Sequence, residues 1–349
     1  MLDDYNIKHL CNTEFCSSGS PILNLTTNKV IGIHCGAILE KNKNTKYNIG
    51  VLLKYPLNVL NSMKINKNKE TFSEINDFEF IETIAKDNYN EISRYRHKIN
   101  KTIYIIKKYS KSKFINKEAE IDFEREKAIL FEISQKNNPK NNPYFAKLNC
   151  TFEDPSIHYL VFDNYEGQTL KDFIKSKKGF IEEKTIIHIL KEMLNILQFL
   201  HNELHVMNRD IKPENIIIDK NNNIKLIEFH LAAYLEGKNN ILVSRRSLKG
   251  PVPYVAPEIL FAKNQRNYDY KCDIFSLGYT IFYLMNKELP TKTIKENGNI
   301  LVRKNNIIKK NNYSPWLNNL VESLYDTDMI NRPDASQALQ ILSLYTPNN

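Results

Sequence analysis

Glycine is scarce in this chain: ten in 349 residues, with none between Gly50 and Gly167. Backbone N–H groups cradle phosphates most closely where side chains are missing, so that stretch holds no glycine-built phosphate loop. Cysteine is also sparse. Cys11, Cys16, Cys35, Cys150 and Cys272 form an odd set without Cys-x-x-Cys spacing, which argues against a disulfide framework or a zinc site and for reduced thiols in the cytoplasm or nucleus. No apolar run reaches membrane-spanning length, and Met1-Leu2-Asp3-Asp4 begins no signal peptide, so no membrane partner is expected. The net charge is +9, but the basic residues are dispersed and interleaved with asparagine, as in Lys41-Asn42-Lys43-Asn44. That pattern fills solvated loops and does not build a nucleic-acid face.

Hydrophobic residues make up 42% of the chain, enough to bury a sizeable core in one two-lobed domain plus a small extra piece. Short apolar runs at 21–25, 30–34 and 47–53 read as strands, with a hairpin turn at 26–29. A polar stretch at 64–70 reads as a linker. Strands are expected at 78–85, 91–96, 102–108, 145–152 and 158–163, with a helix at 117–134 between the third and fourth. Beyond Gly167 the pattern becomes helical. Residues 185–203 repeat apolar side chains at helical spacing: Ile187, Leu190, Met193, Leu194, Ile196, Leu197, Leu200. Short strands at 215–219 and 224–227 precede helices at 270–285, 315–325 and 334–344. The expected class is α+β: a small β-rich lobe at 78–162, a larger helical lobe at 166–345, a linker at 63–77 and a β segment at 1–62.

The most informative run is Asn208-Arg209-Asp210-Ile211-Lys212-Pro213-Glu214-Asn215. An acid, a base and an amide at Asp-x-Lys-x-x-Asn spacing, between an amphipathic helix and an apolar strand, resemble the catalytic loop of a Ser/Thr protein kinase. The resemblance covers residues 78–345 and carries further motifs in the same order. It implies that Asp210 is the base, that Lys212 neutralises the transferring phosphate and that Asn215 is a magnesium ligand. Lys107, in Tyr104-Ile105-Ile106-Lys107, matches the strand lysine on the α- and β-phosphates, with Lys108 as its rival. Glu126 matches that lysine's helix partner; Glu124 competes, but Glu126 stands four before Leu130, on the side facing the strand. Phe162-Asp163-Asn164-Tyr165 resembles the gatekeeper and hinge, where backbone at Asp163 and Tyr165 would meet adenine over a floor formed by Ile217. Glu258, in Ala256-Pro257-Glu258, is expected to pair with Arg332, and Asp273 to hold the catalytic loop from within a helix. Arg209 would read a phosphate on Ser247. The implied cofactors are ATP and magnesium, and the implied partner is a protein substrate or a binding partner.

The pattern fails on the phosphate side. The metal-binding Asp-Phe-Gly triplet aligns with Glu228-Phe229-His230. Glu228 keeps the charge of a metal ligand on a longer side chain, and His230 replaces a glycine that turns the loop, where a histidine held at φ > 0 would be strained. The glycine-rich loop aligns as Ala85-x-Asp87-x-x-Asn90-x-Ile92 with every glycine gone. Ala85 and Ile92 would then cover the nucleotide. Ile105 stands where a small alanine roofs adenine, and Pro251 where a threonine bridges Asp210 and Lys212. The resemblance therefore supports two readings: an active kinase, or a pseudokinase acting as a binding or scaffolding module.

Cys16-Ser17-Ser18-Gly19-Ser20-Pro21-Ile22, with Val30-Ile31-Gly32-Ile33-His34 and Asn48-Ile49-Gly50-Val51, resembles part of the C-terminal barrel of a trypsin-like serine protease. Ser18 would match the nucleophile. His9 stands in no matching motif, and a serine without a base is a poor nucleophile. The expectation is an inactive protease remnant.

Overall fold

The structure, a computed structural model, describes residues 74–86, 90–114, 117–136, 144–234, 253–260, 269–289 and 313–345, plus strand backbone at 6–9, 21–24, 29–39, 46–52, 292–294 and 300–302. Ser18, Asp87, Ser247, Pro251, the turn at 26–28 and the polar stretch at 64–70 lie outside the described residues. The chain divides into two compact units, Met1–Thr71 and Phe72–Asn349. The first holds β1 (Asn6–His9), β2 (Pro21–Asn24), β3 (Lys29–Leu39) and β4 (Lys46–Leu52). They form an antiparallel sheet in the order β1-β4-β3-β2.

The second unit opens with β5 (Phe78–Lys86), β6 (Asn90–His97) and β7 (Ile103–Ser110). Helix α1 (Lys117–Lys136) comes after them, then β8 (Leu148–Glu153) and β9 (Ile157–Asp163). These strands make one antiparallel sheet in the order β5-β6-β7-β9-β8. Side chains alternate across a strand, and β7 shows the consequence. Tyr104 and Ile106 join Phe78, Tyr95, Tyr159 and Val161 in a cluster on one face. Ile105 and Tyr109 pack with Phe123, Ile129, Leu130 and Ile133 of α1 on the other. Lys107 shares the parity of Ile105 and Tyr109, which directs an ammonium into the buried side of the sheet. The strand expected from residue 145 starts at Leu148 instead, because Phe145 bridges in parallel to Leu226 of the lower lobe.

The lower lobe begins with β10 (Gln168–Thr169), α2 (Leu170–Ser176) and α3 (Glu183–Gln198). Ile186, Ile189, Leu190, Met193, Leu194, Ile196 and Leu197 are the buried stripe of α3, each worth roughly 1.5–3 kcal/mol on leaving water. The expected helix runs on to residue 203; instead, Phe199–Glu203 winds as a wider π turn. After β11 (Val206–Met207) the chain crosses an irregular loop to β12 (Ile216–Ile218) and β13 (Ile224–Leu226), and β14 (Ala233–Tyr234) returns to pair with β11. Next come α4 (Pro257–Leu260) and α5 (Lys271–Asn286), the strand pair β15 (Lys292–Ile294) and β16 (Ile300–Val302), then α6 (Pro315–Leu324) and α7 (Ala335–Tyr345). Thirteen of the 16 residues of α5 are buried, so it is the central helix of this lobe. Asp273 lies inside it, and a buried carboxylate needs hydrogen-bond partners. Among the described residues no helix is long and apolar enough to cross a membrane.

Candidate active site

The site is assembled from three stretches: β7 with α1, the loop after β11, and the segment after β13. On the first, Lys107 is almost fully buried, and its Nζ donates to Glu126 Oε1 at 2.9 Å and to Glu228 Oε2 at 2.8 Å. Burial alone would lower the Lys107 pKa, but Glu126 and then Glu228 outweigh it and hold the ammonium well above its ordinary value. Tyr109 completes the cage, its hydroxyl donating to Glu126 Oε2 at 2.6 Å. Burial and the nearby Glu126 push that phenol well up. The rival residues point elsewhere: Glu124 pairs with Lys127, and Lys108 with Glu91.

The loop after β11 hangs from α5. Asp273 Oδ2 accepts the Asn208 backbone N–H at 2.8 Å and Oδ1 accepts that of Arg209 at 2.7 Å, while His201 Nε2 donates to Oδ2 at 2.9 Å. Arg209 takes a left-handed φ of 63°, an unusual conformation for a non-glycine residue, held by those bonds. Asn208 ties the loop together from within: its Nδ2 donates to the Glu228 carbonyl at 2.7 Å and its Oδ1 accepts from Asp210 N at 3.1 Å. The Asp210 carboxylate is buried. Lys212 Nζ lies 2.8 Å from both of its oxygens, and Asn215 Nδ2 donates to Oδ2 at 2.6 Å and to the Asp210 carbonyl at 2.9 Å. Burial raises the Asp210 pKa, and Lys212, His230 and Asn215 offset only part of that rise.

The third stretch supplies Glu228 and His230, with Phe229 anchored in the core between them. Burial would raise the Glu228 pKa, but Lys107 and His230 override it and hold the carboxyl well below its usual range. His230 Nδ1 lies 3.2 Å from Glu228 Oε2 and 4.0 Å from Asp210 Oδ2. An ionised carboxylate only accepts, so Nδ1 is the donor in the shorter contact. Burial opposes protonation of His230, yet the bond to Glu228 leaves its pKa raised. His230 is not among the positive-φ residues, so the backbone strain expected from losing a glycine here does not arise. Two arginines fix the residues just beyond it: Arg209 Nε donates to the Leu231 carbonyl at 2.7 Å, and Arg125 Nε on α1 to the Ala232 carbonyl at 2.9 Å.

Between the lobes lies a narrow crevice, nearly filled by side chains and lined by Ile92, Ile105, Lys107, Ala146, Phe162, Tyr165, Ile227 and Glu228. Ile105 is its largest departure from an open slot, since an alanine there would leave the space its side chain fills. Four residues expected at the nucleotide are not among those lining this cleft: Glu126, which stands on Lys107, and Ala85, Asp163 and Ile217. Ala85 is exposed on β5. Asp163 accepts from Asn149 through its side chain and donates its backbone N–H to the Lys147 carbonyl at 2.9 Å. Ile217 packs towards Gly167, whose added Cβ would lie 2.8 Å from Ile217 Cγ2. Ile227 and Ala146 stand at the cleft instead. Sequence reasoning also missed Tyr109 and Arg125; a tyrosine at core parity and a helix arginine carry no signal of their own.

This architecture defines a class. Residues 78–342 match the protein kinase domain family, and the chain belongs to it. Among curated proteins it resembles 3-phosphoinositide-dependent protein kinase B of Dictyostelium discoideum, at 30% identity over 75% of this chain and 28% of the relative. It is similar to calcium-dependent protein kinase 4 of Plasmodium falciparum at 29% identity, over 70% of this chain and 45% of that protein. The 3-phosphoinositide-dependent protein kinase 1 of Arabidopsis thaliana is 28% identical over 74% of this chain and 52% of its own length. The chain thus spans from about a quarter to about half of these relatives. The comparisons lend no support to the serine-protease likeness of residues 1–62, and the family match begins at residue 78.

Proposed function

We propose that this domain transfers the γ-phosphoryl group of ATP to serine or threonine hydroxyls of a protein substrate. One observation carries the reading: Asp210, Lys212 and Asn215 are mutually hydrogen-bonded beside Glu228, while Glu228 and Glu126 share Lys107. His230, 3.2 Å from Glu228 and 4.0 Å from Asp210, links the two groups, which supports reading them as one site. The apolar walls at Ile92, Ile105, Ala146 and Ile227, with one buried ammonium at Lys107, have the chemical character that a flat heterocycle joined to phosphates requires. Asn215 turns its amide nitrogen to Asp210, which leaves its oxygen for a hard cation, and Glu228 is a carboxylate; that donor set fits magnesium. Bound there, magnesium would neutralise phosphate charge as the bond to the leaving group weakens. Asp210 would accept the proton of the attacking hydroxyl, and its raised pKa suits a base. Lys212 would hold the Asp210 carboxylate and stabilise the moving phosphoryl group. Lys107, positioned by Glu126 and Tyr109, would hold the non-transferred phosphates.

The test is incorporation of labelled phosphate into a generic protein substrate, with magnesium or manganese, by the native chain and by Asp210→Asn. General-base removal is expected to cost about 10²–10⁴-fold. Equal signals from both proteins would favour the second reading, a pseudokinase acting as a binding module. That reading draws on the glycine-free β5–β6 connection and on a Lys107 already satisfied by two carboxylates.

A further inference from the structure

His230 does more than replace a glycine. Its side chain is 41% exposed, and its Nδ1 is on the carboxylate oxygen that also holds Lys107. A carboxylate oxygen has two lone pairs, and on Glu228 Oε2 both are engaged: one by Lys107 Nζ at 2.8 Å, the other by His230 Nδ1 at 3.2 Å. A cation approaching that oxygen must displace one of them. Lys107 is the harder to move, because it is buried and also bonded to Glu126. The imidazole is the easier: it is partly open to solvent, its other ion-pair contact among the described residues is the longer 4.0 Å to Asp210 Oδ2, and it swings on a flexible side chain.

We infer that His230 competes with divalent metal for Oε2 of Glu228, and so sets the metal concentration at which nucleotide is held. The inference rests on the nucleotide-binding part of the reading above. It does not require that phosphate be transferred. Because residue 230 has no left-handed backbone, glycine or alanine can stand there without forcing the main chain.

The experiment is a thermal-shift titration of magnesium chloride against the full chain, at a fixed saturating concentration of a non-hydrolysable ATP analogue. Native protein, His230→Gly and His230→Ala are compared, each checked first for a cooperative melt without ligand. Losing one charge-assisted hydrogen bond from the competing side is expected to lower the magnesium midpoint by about tenfold in both variants. The alanine variant separates loss of the imidazole from any added glycine flexibility. Midpoints equal to the native value, or higher, overturn the inference while leaving nucleotide binding intact. No shift with the analogue in any of the three proteins, at any magnesium level, refutes the nucleotide reading and the inference together.

Discussion

At the scale of single residues, placement decides what each charge is worth. Lys107 is buried between two carboxylates and stays charged, whereas Asp154 sits at the surface and is held by hydrogen bonds alone. Its carboxylate accepts from the Tyr159 hydroxyl at 2.7 Å and from the Ser156 and Ile157 backbone N–H groups at 2.7 and 2.8 Å. The Tyr159 hydroxyl first, then Ser156, lower its pKa from 3.8 to about 2. A carboxyl depressed on folding stabilises the fold above its unfolded pKa, and that contribution is lost as pH falls through the folded value. Stability is therefore expected to fall between about pH 4 and pH 2 in part through Asp154, and Asp154→Asn should flatten that limb in urea melts. An unchanged slope in the variant would rule this out. The Lys107–Glu126 contact is legible in the sequence because the resemblance marks Lys107 and the helix spacing to Leu130 favours Glu126. The His230–Glu228 contact is not: the substitution is visible, but its meaning depends on which carboxylate oxygen faces the ring. Strain is the expectation at His230, and the left-handed backbone lies instead at Arg209, where Asp273 supplies the bonds that hold it.

At the scale of elements, the long periodic segments are readable and the short ones are not. Helix α3 and helix α5 announce themselves through apolar spacing. Helix α2 does not, since its seven residues make less than two full repeats, and β1 has only four. Nothing in the local pattern marks the contact at Gly278, because its reason lies on another helix. A Cβ there would lie 2.9 Å from both Leu324 Cβ and the Tyr325 backbone nitrogen, so α5 meets the end of α6 at a point with no room for a methyl group. Gly278→Ala is expected to lose about 1–3 kcal/mol despite alanine's better helix propensity. Equilibrium denaturation checks this, and a stabilised variant would show that the helices part freely.

At the scale of the molecule, the two apolar clusters found among the described residues lie within the second unit, among residues 75–342. That unit has its own core, so residues 72–349 expressed alone should melt cooperatively at the temperature of the corresponding transition in the full chain. An aggregated or non-cooperative fragment would contradict it. The two-lobed class is legible because several motifs occur in one order, each on the expected type of element. The lining of the nucleotide cleft is less so: Ile217 is the expected floor, while the residues that line the cleft include Ile227 and Ala146, which the motifs do not mark.

The π turn at Phe199–Glu203 has a consequence for inheritance. Such a turn is a helix carrying an extra residue. Dropping one residue restores the ordinary repeat and rotates everything beyond it by about 100°. His201 would leave Asp273, and the loop from Asn208 to Asn215 would enter from a different direction. A lost codon in the exposed turn at 220–223 alters a solvent-facing bend; the same loss in 199–203 is felt at every group around Asp210. Lineages carrying this domain should vary in length at the first place and keep it at the second.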